Sequence, residues 1–230
     1  MKGNRSLYPL FLDLKGQRCV VVGGGKVAAR KVGSLLEAGA DVTVIAPEWG
    51  ESIAEWKRLG KLQALAKRYE AGDADGALLV FAATNDAAVN EAVARDAAER
   101  RQLATVADRP ERGSFVLPAV MRRGKLAIAV STSGAGPSAA AAIARELEEV
   151  YGAPEVEAAL EFLSELREAA QARIADGEQR RRLFREAAAV DWPALMRRGD
   201  FARLRERLLA CAQLEEGAAE RFAALLADRD

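Results

Sequence analysis

The chain has 230 residues, with 34 Lys and Arg against 34 Asp and Glu, and no histidine. Without histidine there is no Ser-His-Asp triad, no Cys-His pair and no imidazole metal ligand, so any general base is a carboxylate, Lys, Tyr, Cys or water. Zero net charge argues against a dedicated nucleic-acid binder, and Cys19 and Cys211 are too few and too far apart for a thiolate metal site or a secreted disulfide framework, which leaves a reducing cytoplasm as the simplest setting.

The stretch before Arg18 is interrupted by Pro9 and Asp13 and lacks a long apolar core, so it does not read as a signal peptide. Residues 18–22 (RCVVV) predict a short strand running into glycines. Residues 26–38 have helical spacing, with Val27, Leu35 and Leu36 as inward positions and Gly39 as the stop. A second strand follows at 41–45, halted by Pro47, then a helix at 51–59 and a weak third strand at 61–68. Residues 77–83 (ALLVFAA) are apolar throughout, as suits a strand buried on both faces. A helix at 86–101 and a fifth strand at 103–107 complete the alternation, which predicts a parallel sheet covered by helices. The pattern then changes. Residues 114–121 and 125–131 are two extended runs around Arg123-Gly124 with no room for a helix between them, so they predict an antiparallel pair. A helix follows at about 138–150, and from 154 the chain reads as nearly all helix, with breaks at Gly177, Pro193 and Gly199. No stretch approaches the roughly 18 apolar residues of a membrane span, so no membrane partner is expected.

The first strand leads into Gly23-Gly24-Gly25-Lys26-Val27-Ala28, which fits G-x-G-x-x-A. Gly23 permits the tight turn, Gly25 lets a pyrophosphate approach the backbone, and Ala28 lets the helix pack on the strand. The helix start then favours phosphate through its free N–H groups. A strand before the motif and a helix and second strand after it are the context that turns a glycine match into a dinucleotide site. The fold expected is α/β: a Rossmann-like parallel sheet, then a small α+β region and a helical C-terminal part, with boundaries near 112 and 150. The acidic residue that reads the ribose belongs at the end of the second strand. Glu48 comes slightly late, after Pro47, and either meets a ribose hydroxyl or is a solvated loop residue. No arginine follows closely to take a 2′-phosphate, which favours NAD over NADP.

The fourth strand ends Ala83-Thr84-Asn85-Asp86, at the edge where open α/β sheets bind ligands. Thr84 is a candidate for the cofactor crevice, and Asp86 is better explained as a helix N-cap. The fifth strand ends at Asp108, which opens a basic stretch of Arg109, Arg112, Arg122, Arg123 and Lys125 against Glu111 alone. Asp108 is either a base facing an anionic substrate or a loop aspartate paired with an arginine. Ser131-Thr132-Ser133-Gly134 leads into a helix and is either an anion site or an ordinary helix start. In the C-terminal part, Leu160, Leu163, Leu166 and Ile174 mark a buried stripe, the Arg180–Arg182 run with Arg185 reads as a solvated face, and Trp192 reads as packing.

Taken together, YPLFLDLKGQRCVVVGGGKVAARKVGSLLEAGADVTVIAPE, AATND, VADRPERGSFVLPAV and GKLAIAVSTSGAGPSAAAAIARELE resemble the precorrin-2 dehydrogenases, in the same order. That family includes stand-alone enzymes, enzymes that are also sirohydrochlorin ferrochelatases, and the front part of multifunctional sirohaem synthases. The resemblance covers roughly residues 6–150 and weakens over the C-terminal helices. It implies an NAD-binding Rossmann domain over 1–112, a dimerisation region over 113–150 that makes a homodimer, and a helical domain over 151–230. It also implies oxidation of precorrin-2 to sirohydrochlorin with NAD. By position, Lys26, Val27, Pro47 and Glu48 match cofactor-contacting residues, and Asp108 matches the essential aspartate, a base or proton shuttle. The tetrapyrrole substrate carries eight carboxylates. Arg109 and Arg112 offer bidentate partners for them, and Ser131, Thr132, Ser133 and Gly134 complete the substrate set. Thr105, Gly136 and Ala144 depart from the family pattern, which more often has Asn, Ser and Arg there. Two other readings remain beside this one: a bifunctional enzyme that also inserts Fe2+ or Co2+, and an NAD-sensing module without turnover.

Overall fold

The computed structural model describes residues 6–199, 201–214 and 216–227. Their contacts divide into one compact unit over residues 6–117 and another from residue 118 onward.

The first unit holds five strands, β1 (Arg18–Val22), β2 (Asp41–Ala46), β3 (Gln63–Ala66), β4 (Leu79–Ala82) and β5 (Leu103–Val106). They form one parallel sheet in the order β3-β2-β1-β4-β5. The helices are α1 (Lys26–Glu37), α2 (Glu51–Arg58) and α3 (Ala87–Glu99), and a 3-10 turn spans Pro110–Arg112. Both sheet faces are apolar because alternate residues point opposite ways. Cys19, Val21, Val42, Val44, Leu79 and Phe81 pack with Ala28, Val32, Leu35 and Ile53. Val20, Val22, Ile45, Val80, Ala82 and Val106 pack with Val93, Ala94 and Ala97 on the other face. On α1 the face against the sheet is Ala28, Val32 and Leu35, whereas Val27 is 45% exposed at the helix start. The expected inward position thus belongs to Ala28, which stands i, i+4 and i+7 with Val32 and Leu35 on one helix face.

The expected run at 114–121 is shorter. Ser114 and Phe115 turn back to the Ala104 carbonyl, the Ser114 hydroxyl accepts from Ala104 N–H at 2.9 Å, and the Phe115 ring meets Phe81 edge-on at 5.7 Å. Pro118 has no N–H to give a ladder, and the strand begins only after it.

A buried carboxylate ties the segment before β4 to the end of α3. Asp96, 6% exposed, accepts from the Tyr69 hydroxyl, from Gly72 N–H at 3.1 Å and from Arg100, which also pairs with Asp75. Burial alone would push the Asp96 carboxyl up. The Tyr69 and Gly72 donors and the Arg100 charge outweigh it, and the net direction is down. The folded state therefore gains stability from ionised Asp96 above the ordinary carboxylate range and loses it as pH falls through the lower folded value. Asp96→Asn should cost about 2 kcal/mol at neutral pH by urea denaturation, and its stability should fall less than the wild type's below about pH 4. Parallel pH curves for the two proteins would contradict this.

The second unit opens with the antiparallel pair β6 (Ala119–Arg123) and β7 (Leu126–Val130), turning at Gly124. Among the described residues six helices follow: α4 (Pro137–Tyr151), α5 (Pro154–Arg173), α6 (Gly177–Ala188), α7 (Trp192–Arg197), α8 (Phe201–Cys211) and α9 (Ala218–Ala227). Their core is Phe162, Leu166, Ile174, Leu183, Trp192, Leu195, Leu208 and Phe222. Trp192 is a packing residue whose indole N–H donates to the Ala187 carbonyl at 2.8 Å. Phe162, not Leu160, lies on the buried stripe of α5. Gly177 starts a helix instead of breaking one, because the chain turns just before it. There Arg180 donates to the Ile174 carbonyl and to the Ala175 carbonyl at 2.9 Å, capping the end of α5.

Candidate active site

The strand order reverses around β1, which lies between β2 and β4. In the sheet register Val22 stands beside Ile45 and Ala82, and Ala82 beside Val106. The segments leaving β1, β4 and β5 therefore open side by side at the carboxyl edge, which is where such sheets bind ligands.

The glycine turn is built as the spacing requires. Gly23 has φ +128, and a side chain there would run into the Ala83 carbonyl. Gly24 is equally constrained, for a Cβ would collide with the Glu48 carbonyl and lie 2.8 Å from the Trp49 Cα. The Gly50 N–H then donates to the Gly24 carbonyl at 3.0 Å. Gly25 differs from both: it is exposed, and nothing lies within 4 Å of a Cβ placed there. Gly25 is also the N-cap of α1, and no side chain caps that helix. Its opening N–H groups, with exposed Lys26 and Val27 and buried Ala28 behind them, form a cradle suited to a pyrophosphate. Pro47 and Glu48 are exposed at the end of β2, beside the turn.

The second half of the edge is a hydrogen-bond network. Asn90, on α3, is 2% exposed. Its Oδ1 accepts from Thr84 N–H at 3.1 Å and lies 2.8 Å from the Thr84 hydroxyl. Its Nδ2 donates to the Thr84 carbonyl and to Asp108 Oδ1, each at 3.0 Å. Asp86 caps α3, accepting from Ala88 N–H at 2.9 Å and Val89 N–H at 3.3 Å. Asp108 itself is exposed beyond β5. Thr84 and Asp108 were legible from the sequence; Asn90 was not. The one signal was an Asn, a poor helix former, inside the alanine-rich run AAVNEAVARDAAE.

The solved structure of SirC, a precorrin-2 dehydrogenase, matches this chain with a TM-score of 0.74 at 30% sequence identity, over 87% of this chain and 100% of that one. The chain belongs to the precorrin-2 dehydrogenase family. An NAD(P)-binding family model matches residues 10–119. The siroheme synthase of Methylobacillus flagellatus is 41% identical over 173 residues, 75% of this chain and 37% of that protein. The siroheme synthase of Chromobacterium violaceum is 42% identical over 177 residues, 77% of this chain and again 37% of that protein. The chain thus spans little more than a third of these two relatives.

The basic stretch that follows Asp108 is partly engaged. Arg112 holds Glu91 of α3 in a two-point pair, with Nε at 3.0 Å. Arg123 pairs with Glu157 at 2.8 Å, and Lys125 donates to Ser164 at 2.6 Å. Arg109 and Arg122 are exposed and carry no ion pair among the described residues. The Ser131–Gly134 turn lies in the second unit. Ser133 and Gly134 there have positive φ, 52 and 89. Thr132 Oγ1 accepts from Gly136 N–H at 3.2 Å and lies 3.1 Å from its carbonyl. Gly136 is the N-cap of α4 and gives it no side-chain cap. Both cysteines are free and buried. Burial pushes the Cys19 thiol up to about 11, so it stays protonated at neutral pH and is no nucleophile. Among the described residues no three His, Cys, Asp or Glu side chains gather as a metal site.

Proposed function

We propose that this chain oxidises precorrin-2 to sirohydrochlorin, with NAD+ as the electron acceptor and Asp108 as the proton acceptor. The observation that carries the reading is the shared sheet edge. The glycine turn, Thr84 and Asp108 follow three neighbouring strands whose last paired residues are Val22, Ala82 and Val106. The open space over Gly25 and the uncapped start of α1 fit a dinucleotide. Gly23, Gly24, Gly25, Lys26, Val27 and Ala28 would hold its phosphates, Pro47 and Glu48 its adenosine side, and Thr84 its far end. When bound, NAD+ takes up the hydride that leaves the macrocycle.

The chain's own groups do the remaining work. Asp108 takes the proton lost with that hydride, and no histidine competes for the role. Arg109 is the side chain offered to a substrate carboxylate, while Arg112 already holds Glu91 and can serve only by exchanging it. In the second unit, Ser131, Thr132, Ser133 and Gly134 are the substrate-contacting candidates of this reading. Dimerisation through the β6–β7 and α4 region is part of it. Exposed Val120, Ile143, Val150 and Tyr151 support that role, as apolar surface of this kind marks association sites. A cytoplasmic location fits two free thiols, and no helix of the described residues is long and apolar enough to cross a membrane.

Anaerobic incubation with precorrin-2 and NAD+ should give NADH and sirohydrochlorin in equal amounts. Protein that binds NAD+ but forms no NADH would return the chain to an NAD-sensing module. Adding Fe2+ or Co2+ to the product tests the bifunctional reading, which fails if insertion is no faster than without protein.

A further inference from the structure

We propose that Asn90 is a positioning residue for the proton acceptor, and that it assigns the two Asp108 oxygens different tasks. The inference rests on the reading of Asp108 given above. The Asn90 amide has only one possible orientation. Thr84 N–H can only donate, so the atom 3.1 Å from it is the amide oxygen. The Thr84 carbonyl can only accept, so the atom 3.0 Å from it is the amide nitrogen. The second amide hydrogen is thereby delivered to Asp108 Oδ1 at 3.0 Å. Oδ1 is already an acceptor, so the proton taken up in turnover goes to Oδ2.

Asn90 joins two functions through one buried group. At 2% exposure it has no water to replace a lost partner. Its Oδ1 and one Nδ2 hydrogen fix the Thr84 segment beside the dinucleotide site, and its other hydrogen fixes Asp108. The cofactor side and the proton acceptor are thus registered to each other through one amide on α3. The charged groups nearby are otherwise occupied or exposed: Asp86 caps α3, Glu91 and Arg112 hold each other, and Arg109 is exposed.

Asn90→Asp keeps the shape and removes one donor. The introduced carboxyl carries at most one proton, yet the oxygen in place of Nδ2 faces two acceptors, the Thr84 carbonyl and Asp108 Oδ1. Two adjacent carboxyls resist sharing a negative charge. The acid limb of the kcat/KM–pH profile should therefore move up by roughly one pH unit or more, with NAD+ binding retained by calorimetry. A purely structural role for Asn90 would lower activity at every pH and leave that limb where it is, and that result overturns the proposal. If Asn90→Asp loses its circular dichroism signature, Asn90→Ser gives the decision, measured alone and on Asp108→Asn. Acting through Asp108, it should lower kcat at least about tenfold alone and have a clearly smaller effect on Asp108→Asn, where only the lost Thr84 contacts still act. A full effect in both backgrounds overturns the proposal. The two readings fail differently. Wild-type turnover by Asp108→Asn removes the catalytic role itself, whereas an inactive Asp108→Asn with an unshifted Asn90→Asp profile removes only the role of Asn90.

Discussion

Asp108→Asn should lower kcat for precorrin-2 oxidation by about 10²–10⁴-fold, the usual contribution of a positioned general base, and leave NAD+ affinity within a few-fold. The substitution keeps the size and the exposed position beyond β5, so folding should be little affected. It removes the carboxylate that the buried Asn90 amide orients at that edge, the group to which the proposed reaction assigns the proton. The new amide can keep its oxygen toward Asn90 Nδ2 and place its NH2 where Oδ2 stood, so the orienting hydrogen bond survives while the proton acceptor is lost. Steady-state kinetics with calorimetric NAD+ titration check the result. Loss of cofactor binding in step with loss of rate would mean that Asp108 serves the dinucleotide site and not the macrocycle.

The glycine turn makes the second large prediction, because two of its neighbours should fail for opposite reasons. Gly25→Asp places a carboxylate in open space over the start of α1, where nothing lies within 4 Å of the new Cβ. The fold should persist, and the helix start should gain a side-chain cap, since Gly25 is its N-cap and Asp is preferred there. The charge then stands where the pyrophosphate belongs, and NAD+ affinity should fall by at least about a hundredfold, from lost phosphate contact and like-charge repulsion. Gly24→Ala presents the reverse. Its Cβ meets the Glu48 carbonyl and the Trp49 Cα, both backbone, so the loop after β2 must shift. It should lose roughly 1–3 kcal/mol of stability, as overpacked sites do, and NAD+ affinity with it. Thermal melting and NAD+ titration of the pair separate the cases. A stable Gly25→Asp with wild-type affinity would place the phosphates elsewhere.

Much of this architecture was legible because it follows from periodicity and from residues with narrow backbone requirements. RCVVV, DVTVI and ALLVFAA are mostly apolar because both sheet faces are covered; the first two are strands throughout, and the third is a strand over Leu79–Ala82. Asp108 stood out because a carboxylate ends a buried strand. What remained hidden depends on distant partners. Arg112 and Glu91 are 21 positions apart, and no local pattern foretells their pair. Asn90 looks like a solvated helix residue until α3 is set against β5 and the loop after β4. Val27, by contrast, lies one residue off the buried stripe, because its i+4 and i+7 neighbours are Lys31 and Ser34, whereas Ala28 aligns with buried Val32 and Leu35.

The Gly24 contact has one more consequence. Its missing side chain and the Gly50 N–H bond fasten the phosphate turn and the loop after β2 into a single piece before any dinucleotide arrives. Little conformational entropy is then left to lose on binding, so that half of the site is preorganised and recognises its ligand as a rigid template.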